Sequence, residues 1–188
     1  MARFAAVLDA CVLVPYVLMD TLLSVAEEDL YQPLWSEVIL DETLRTLKTI
    51  YPDKNPNSFE VRVASMGSAF PNASVTGWSA LESGLAAYWP DPDDAHVVAA
   101  AIRGRAEIIV TKNLKDFPDH LLNELGLHAA SPDTFLSDLL DLNERVVLEA
   151  IAKQAQRTNN PALGITEIAV RLSKEAPEFA SKLLSRLS

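Results

Sequence analysis

Four carboxylates in this chain stand at strand ends, at a helix start or on a helix, where a fold could gather them. Asp9 ends the unbroken apolar run Phe4 to Leu8 (FAAVL). Asp94 closes the stretch Asp91-Pro92-Asp93-Asp94, and Asp116 lies in the loop after EIIVT (Glu107 to Thr111). Glu42 projects from the stretch EVILDETLRTLKTI (Glu37 to Ile50). Acids gathered at one place repel one another and hold their protons above the usual pKa. A divalent cation relieves that repulsion, and an all-oxygen donor set suits Mg²⁺ or Mn²⁺. Metal held in this way activates water and stabilises a leaving oxygen, the chemistry of phosphodiester hydrolysis. Singly, each acid has a plainer use. Asp91 and Asp94 could cap a helix, Glu42 could be an exposed helix acid, and Asp116 could open the turn before Pro118. Asp9 is the exception, because an acid closing a buried strand lacks an evident partner.

Other reactive side chains point elsewhere. Cys11 is the only cysteine, which excludes an internal disulfide and a cysteine zinc site and reads as a packing residue. His96, His120 and His128 lack metal-ligand spacing and read as surface or packing residues, with His96 near enough to Asp94 to touch the same region. Trp35, Trp78 and Trp89 read as core or lid residues. A phosphodiester substrate would need cations near its phosphates, and Lys112 and Lys115 flank the loop that carries Asp116. Arg45 lies on the same helical stretch as Glu42.

The elements that must position these groups follow from periodicity. FAAVL is continuous in its apolar character, as a strand buried on both faces is. Pro15 opens a helix over PYVLMDTLLSVAEE. Ser36 caps a helix over Glu37 to Ile50, with Leu40, Leu44 and Leu47 on its core row and Glu42 turned away from it. A helix is expected over Ser58 to Ala69 and a short strand over Ala73 to Thr76. Asp91 as N-cap and Pro92 as first helical residue start the alanine-rich helix AHVVAAAIRG. Strands are expected at EIIVT and at Leu127 to Ala130, and Ser131-Pro132 begins a further helix. This alternation predicts an α/β fold, a three-layer α/β/α domain with a mostly parallel sheet. Acids at the carboxyl ends of its strands would face the ligand crevice of such a sheet.

Composition bounds the rest. Half of the 188 residues, 49 %, are hydrophobic, enough for a substantial core, and no apolar run is long enough to span a membrane. Asp9 interrupts the apolar start and argues against an export signal, so a cytoplasmic location is expected. The net charge is −10, opposite to the usual nucleic-acid binder. It is unevenly spread: residues 1–142 hold 21 acids against 9 Lys/Arg, and residues 143–188 hold 5 against 7. After Asn143 only helical patterns remain, so 1–142 reads as one domain and 143–188 as a helical C-terminal extension. So small a piece should dock on the body or on a partner, and its basic balance suggests a second phosphate-facing surface.

The pieces VLDACVLV, WSEVILDETLRTL, WPDPDDAHVVAAAIRG and IIVTKNLKDFP resemble, in order and spacing over about residues 4–140, the PIN-domain family and within it the VapC-type toxins. The tail resembles helical extensions of one branch. The resemblance implies a metal-dependent endoribonuclease with Asp9, Glu42, Asp94 and Asp116 as catalytic and metal-binding acids. Asp9 and Asp94 would be direct ligands, Asp116 would act on a second metal or through water, and Glu42 would ligate or orient the attacking water. Thr111 could orient a metal ligand or bind phosphate. Asn113 stands where many members carry an aspartate and would be a neutral partner to the site. RNA as substrate, a small antitoxin protein as partner, and a homodimer are further implications. A silent PIN-like scaffold that binds RNA or a protein is the alternative. A phosphoacceptor receiver domain fits less well, since Asp9 has no acidic neighbour and the last strand offers no lysine.

Overall fold

A computed structural model describes residues 4–159 and 161–187 of the chain. Four strands, β1 (Ala5–Leu8), β2 (Gln32–Leu34), β3 (Ile108–Val110) and β4 (His128–Ala130), form one sheet in the order β2-β1-β3-β4. All three pairings are parallel. All four residues of β1 are buried. Side chains alternate between faces along a strand, so both faces at the sheet centre are covered, which is the three-layer α/β/α arrangement.

The helices come in chain order. They are α1 (Ala10–Leu13), α2 (Tyr16–Glu27), α3 (Glu37–Ile50), α4 (Pro56–Ala69), α5 (Ser79–Ala86) and α6 (Ala95–Gly104). Then follow α7 (Asp119–Glu124), α8 (Pro132–Leu142), α9 (Glu144–Arg157), α10 (Ile165–Leu172) and α11 (Pro177–Arg186). Three starts are held by side chains the sequence marks. Ser36 accepts from the Ile39 amide, Asp91 from the Asp93 amide, and Ser131 from the Thr134 amide. After Asp91 the chain first makes a short 3-10 turn (Pro92–Asp94) and only then α6.

Three local readings change. The expected strand over Ala73 to Thr76 reduces to a single bridge between Ser74 and Trp35. The buried row of α3 is Ile39, Thr43 and Leu47 instead of the Leu40 row, with Leu40 and Leu44 only half-buried. This turns Glu42, Thr46 and Ile50, one helical row at i, i+4 and i+8, toward a cleft. The edge strand β2, containing Pro33, has no strong sequence signal because proline removes a ladder donor.

The tail helices dock on the body. Fully buried Val147, Ile151, Ile168, Leu172, Phe179 and Leu183 belong to the same apolar cluster as β1 and α6. Thr21 and Ser24 of α2, with Glu28 just past its end, share a face and meet α9. Thr21 Oγ1 donates to Gln154 Oε1 at 3.0 Å, Arg157 donates to Ser24 at 2.7 Å, and Lys153 pairs with Glu28 at 2.7 Å. The Asp133 carboxylate of α8 accepts from the Glu178 and Phe179 amides at 3.1 and 2.8 Å, fixing the start of α11.

Candidate functional site

Register alone brings the first two groups together. Leu8 of β1 pairs with Val110 of β3, so the next residues, Asp9 and Thr111, emerge side by side at the carboxyl ends of the two central strands. Asp9 sits at the N-cap position of α1 but makes no capping bond. Its side chain turns instead to Thr111, whose buried hydroxyl donates to Asp9 Oδ2 at 2.6 Å, and to Cys11, whose thiol donates to the same oxygen at 3.0 Å. The Asn113 amide donates to Thr111 Oγ1 at 3.0 Å, and the Lys112 amide to Cys11 Sγ at 3.1 Å. Asp9 is thus a buried carboxylate aimed by two neighbours. Burial first, and then the Asp9 charge, push the Cys11 thiol up to about 12, so it stays protonated and serves as a donor.

Glu42 and Asp94 approach from two helices. His96, buried on α6, holds Glu42 Oε1 by its Nε2 at 3.2 Å. Burial opposes a charged ring at His96, but the hydrogen bond and charge of Glu42, with the charges of Asp9 and Glu82, raise its pKa overall. Its Nδ1 is buried with no partner. Asp94 makes no capping bond to α6, whereas Asp91 is spent on the 3-10 turn. Burial, followed by repulsion from Asp9, Asp91 and Asp116, lifts Asp94 to about 6, and the charge of His96 works against it. Asp116 is therefore within electrostatic reach of Asp94. The 3-10 turn that carries it (Leu114–Asp116) is held by the Trp89 indole, which donates to the Asp116 carbonyl at 2.9 Å.

Asp9, Glu42 and Asp94 line one cleft of about 570 Å³, together with Cys11, Thr46, Ile50, Tyr51, Lys112, Asn113, Lys174 and Glu175. Asp116, Thr111 and Asp91 lie outside that lining, as do Arg45 and Lys115. Lys115 is largely exposed, with its ammonium 3.9 Å from Asp116. The carboxylates of Asp9, Glu42 and Asp94 are a donor set whose chemistry fits a hard divalent cation. Among the described residues, however, no three His, Cys, Asp or Glu side chains converge closely enough to hold one ion. Asp9 and Glu42 are each engaged by hydrogen bonds.

Several residues of the cleft were not legible beforehand. Cys11 read as a packing residue, and its place two residues past a strand-ending acid was the signal available. His96 read as surface or packing; it is buried, and its bond to Glu42 depends on how α3 meets α6. Nothing local marked Lys174 and Glu175.

A parallel sheet with acids gathered beyond its central strands defines a recognisable class. The PIN domain family matches residues 5–115, and the chain belongs to that family. Residues 132–185 match the VapC50 C-terminal domain. A protein named "Putative ribonuclease VapC50" from Mycobacterium tuberculosis (strain ATCC 25618 / H37Rv) is 42 % identical over 89 residues, covering 47 % of this chain and 53 % of that protein. The match thus spans about half the length of that relative. No solved structure gives a significant match.

Proposed function

We propose that the chain is a metal-dependent endoribonuclease that hydrolyses RNA phosphodiester bonds, the toxin of a toxin–antitoxin pair in the cytoplasm. The observation that carries this is the gathering of Asp9, Glu42 and Asp94 around one cleft at the carboxyl ends of the central strands, in a chain of the PIN family. The ribonuclease named among its relatives supports the substrate class. No helix of the described residues is long and apolar enough to cross a membrane. In this reading residues 1–142 are the PIN domain and 143–188 its extension. A small antitoxin protein would cover the cleft, and a homodimer is part of the proposal.

Asp9 and Asp94 would hold Mg²⁺ or Mn²⁺ directly, with Asp116 and Glu42 completing the set. The cation, when bound, would lower the pKa of a water and stabilise charge on the leaving oxygen. The chain's own part is to aim and to polarise. Thr111 and Cys11 hold one oxygen of Asp9 and leave the other free of them. His96 anchors Glu42, which then accepts a hydrogen bond from the attacking water. Asn113 offers a neutral amide at the rim.

The test is cleavage of labelled single-stranded RNA with Mg²⁺ or Mn²⁺, comparing wild type, Asp94→Asn and wild type in EDTA. Loss of at least about a hundredfold is expected in the variant and in EDTA, because a metal ligand acts on the transition state itself. Metal-independent cleavage, or an active Asp94→Asn protein, refutes the reading. A scaffold that binds without cleaving is the second reading, favoured by the absence of three converged ligands among the described residues. Calorimetric titration of Mn²⁺ into both proteins separates the two, since a silent scaffold would show no Asp94-dependent binding.

A further inference from the structure

The tail's basic balance suggests a second RNA-facing surface, and the fold brings part of the tail to the cleft of the acids. We propose that the turn between α10 and α11 forms one wall of the cleft and that Lys174 binds a backbone phosphate of the RNA there. The proposal rests on the ribonuclease reading and adds a substrate-binding residue from the C-terminal extension.

Lys174 and Glu175 line the same cleft as Asp9, Glu42 and Asp94. The turn is firmly seated. The Glu175 and Ala176 amides donate to the Leu172 carbonyl at 2.8 and 2.7 Å, and Leu172 and Ala176 are fully buried. A few residues on, Asp133 clamps the start of α11. The Glu175 carboxylate accepts from the Lys112 ammonium, tying the turn to the loop after β3. Lys112 and Lys174 are the two cations of the cleft lining, and Lys112 is already matched by Glu175.

Charge pairing across the extension isolates Lys174 further. Arg145, Lys153, Arg157, Lys182 and Arg186 each pair with an acid. Arg171 and Lys174 make no ion pair among the described residues, and of these two only Lys174 lines the cleft. In a chain of net charge −10, RNA entering an acidic cleft is repelled unless a cation meets its phosphates. An exposed, unpaired ammonium on a rigid turn above the acids meets that need, since little ordering cost remains beyond its own stem.

Fluorescence anisotropy of labelled single-stranded RNA against the full-length Asp94→Asn protein, from 50 to 200 mM salt with Mg²⁺ present, tests this. The added variants are Lys174→Ala, Lys174→Arg and Arg145→Ala. One phosphate contact on a single strand contributes a salt slope of about 0.7. Lys174→Ala should therefore weaken binding roughly eightfold at 50 mM and about threefold at 200 mM, with the slope reduced by about 0.7. Lys174→Arg should keep the affinity and slope. Arg145→Ala, the same charge change on the outer face of the tail, should leave both near those of the parent. Equal, small effects of Lys174→Ala and Arg145→Ala overturn the proposal while leaving the ribonuclease reading standing. Failure of the parent protein to bind RNA at any salt overturns both.

Discussion

Asp94 carries an energetic cost that its surroundings make readable. Its pKa of about 6 lies above the ordinary carboxylate value because burial and three neighbouring acids oppose its charge. The folded metal-free chain therefore holds this proton more tightly than the unfolded chain does. Its contribution is fully present below pH 4 and is lost as pH rises through about 6. Above that pH, ionised Asp94 works against folding. The effect is softened by partial solvent access, so about 1 kcal/mol is the scale to expect. Asp94→Asn should raise the Tm of the metal-free protein by about 2–4 °C at pH 7.5, and the gain should vanish near pH 4. Thermal melts in EDTA at the two pH values check this. An equal gain at both would mean that the neighbouring acids are not the cause.

At the scale of the element, the end of α6 shows two local preferences in conflict. Helices commonly stop with a glycine in the left-handed conformation, and Gly104 is the glycine at hand. It remains helical, and Arg105 takes the left-handed position at φ 55°. The reason is the approach of α6 to its neighbours. A Cβ on Gly104 would stand 2.8 Å from Leu34 Cδ1 and 3.0 Å from Val75 Cγ2, both on buried side chains. The close contact claims the glycine, and the cap is left to a residue that dislikes the conformation. Opposite outcomes follow for two adjacent substitutions. Gly104→Ala should destabilise by about 1 kcal/mol net, overpacking outweighing the better helix propensity. Arg105→Gly should stabilise by about 0.5–1 kcal/mol. Urea unfolding of both variants measures this, and a stabilising Gly104→Ala would show that the contact relaxes freely.

Across the whole molecule, the acidic body and the basic tail act as one folded unit. Six fully buried tail side chains sit in the body's apolar cluster. At about 1.5–3 kcal/mol each their burial is on the order of 10 kcal/mol gross, comparable with the total stability of a domain, before the entropy of ordering the tail is set against it. Removing the tail would also leave Thr21 of α2 without its Gln154 partner on a newly exposed face. A chain ending at residue 142 should therefore lose its cooperative thermal transition or melt at least about 5 °C lower, and should bind a hydrophobic dye. An unchanged melting curve would show that the extension is dispensable for folding.

Much of the local structure was legible because its causes are local. Ser36, Asp91 and Ser131 cap the starts the sequence marks, since a cap needs only its own next three residues. The buried strand β1 within Phe4 to Leu8 and the α/β alternation follow from apolar periodicity, and the PIN resemblance rests on the same segments. The chain's residue order thus specified the elements and put Asp9 at a strand end. Where two distant segments meet was a different matter. The bond from Thr111 to Asp9 exists because Leu8 and Val110 are in register, 102 residues apart. The pairing of His96 with Glu42 brings side chains of α6 and α3 together across 54 residues, and the arrival of Lys174 and Glu175 at the cleft depends on the tail folding back over α8. Such contacts have no signature in neighbouring residues. They are selected by shape and burial only once the whole core closes, so tertiary structure alone decided which side chains share the cleft.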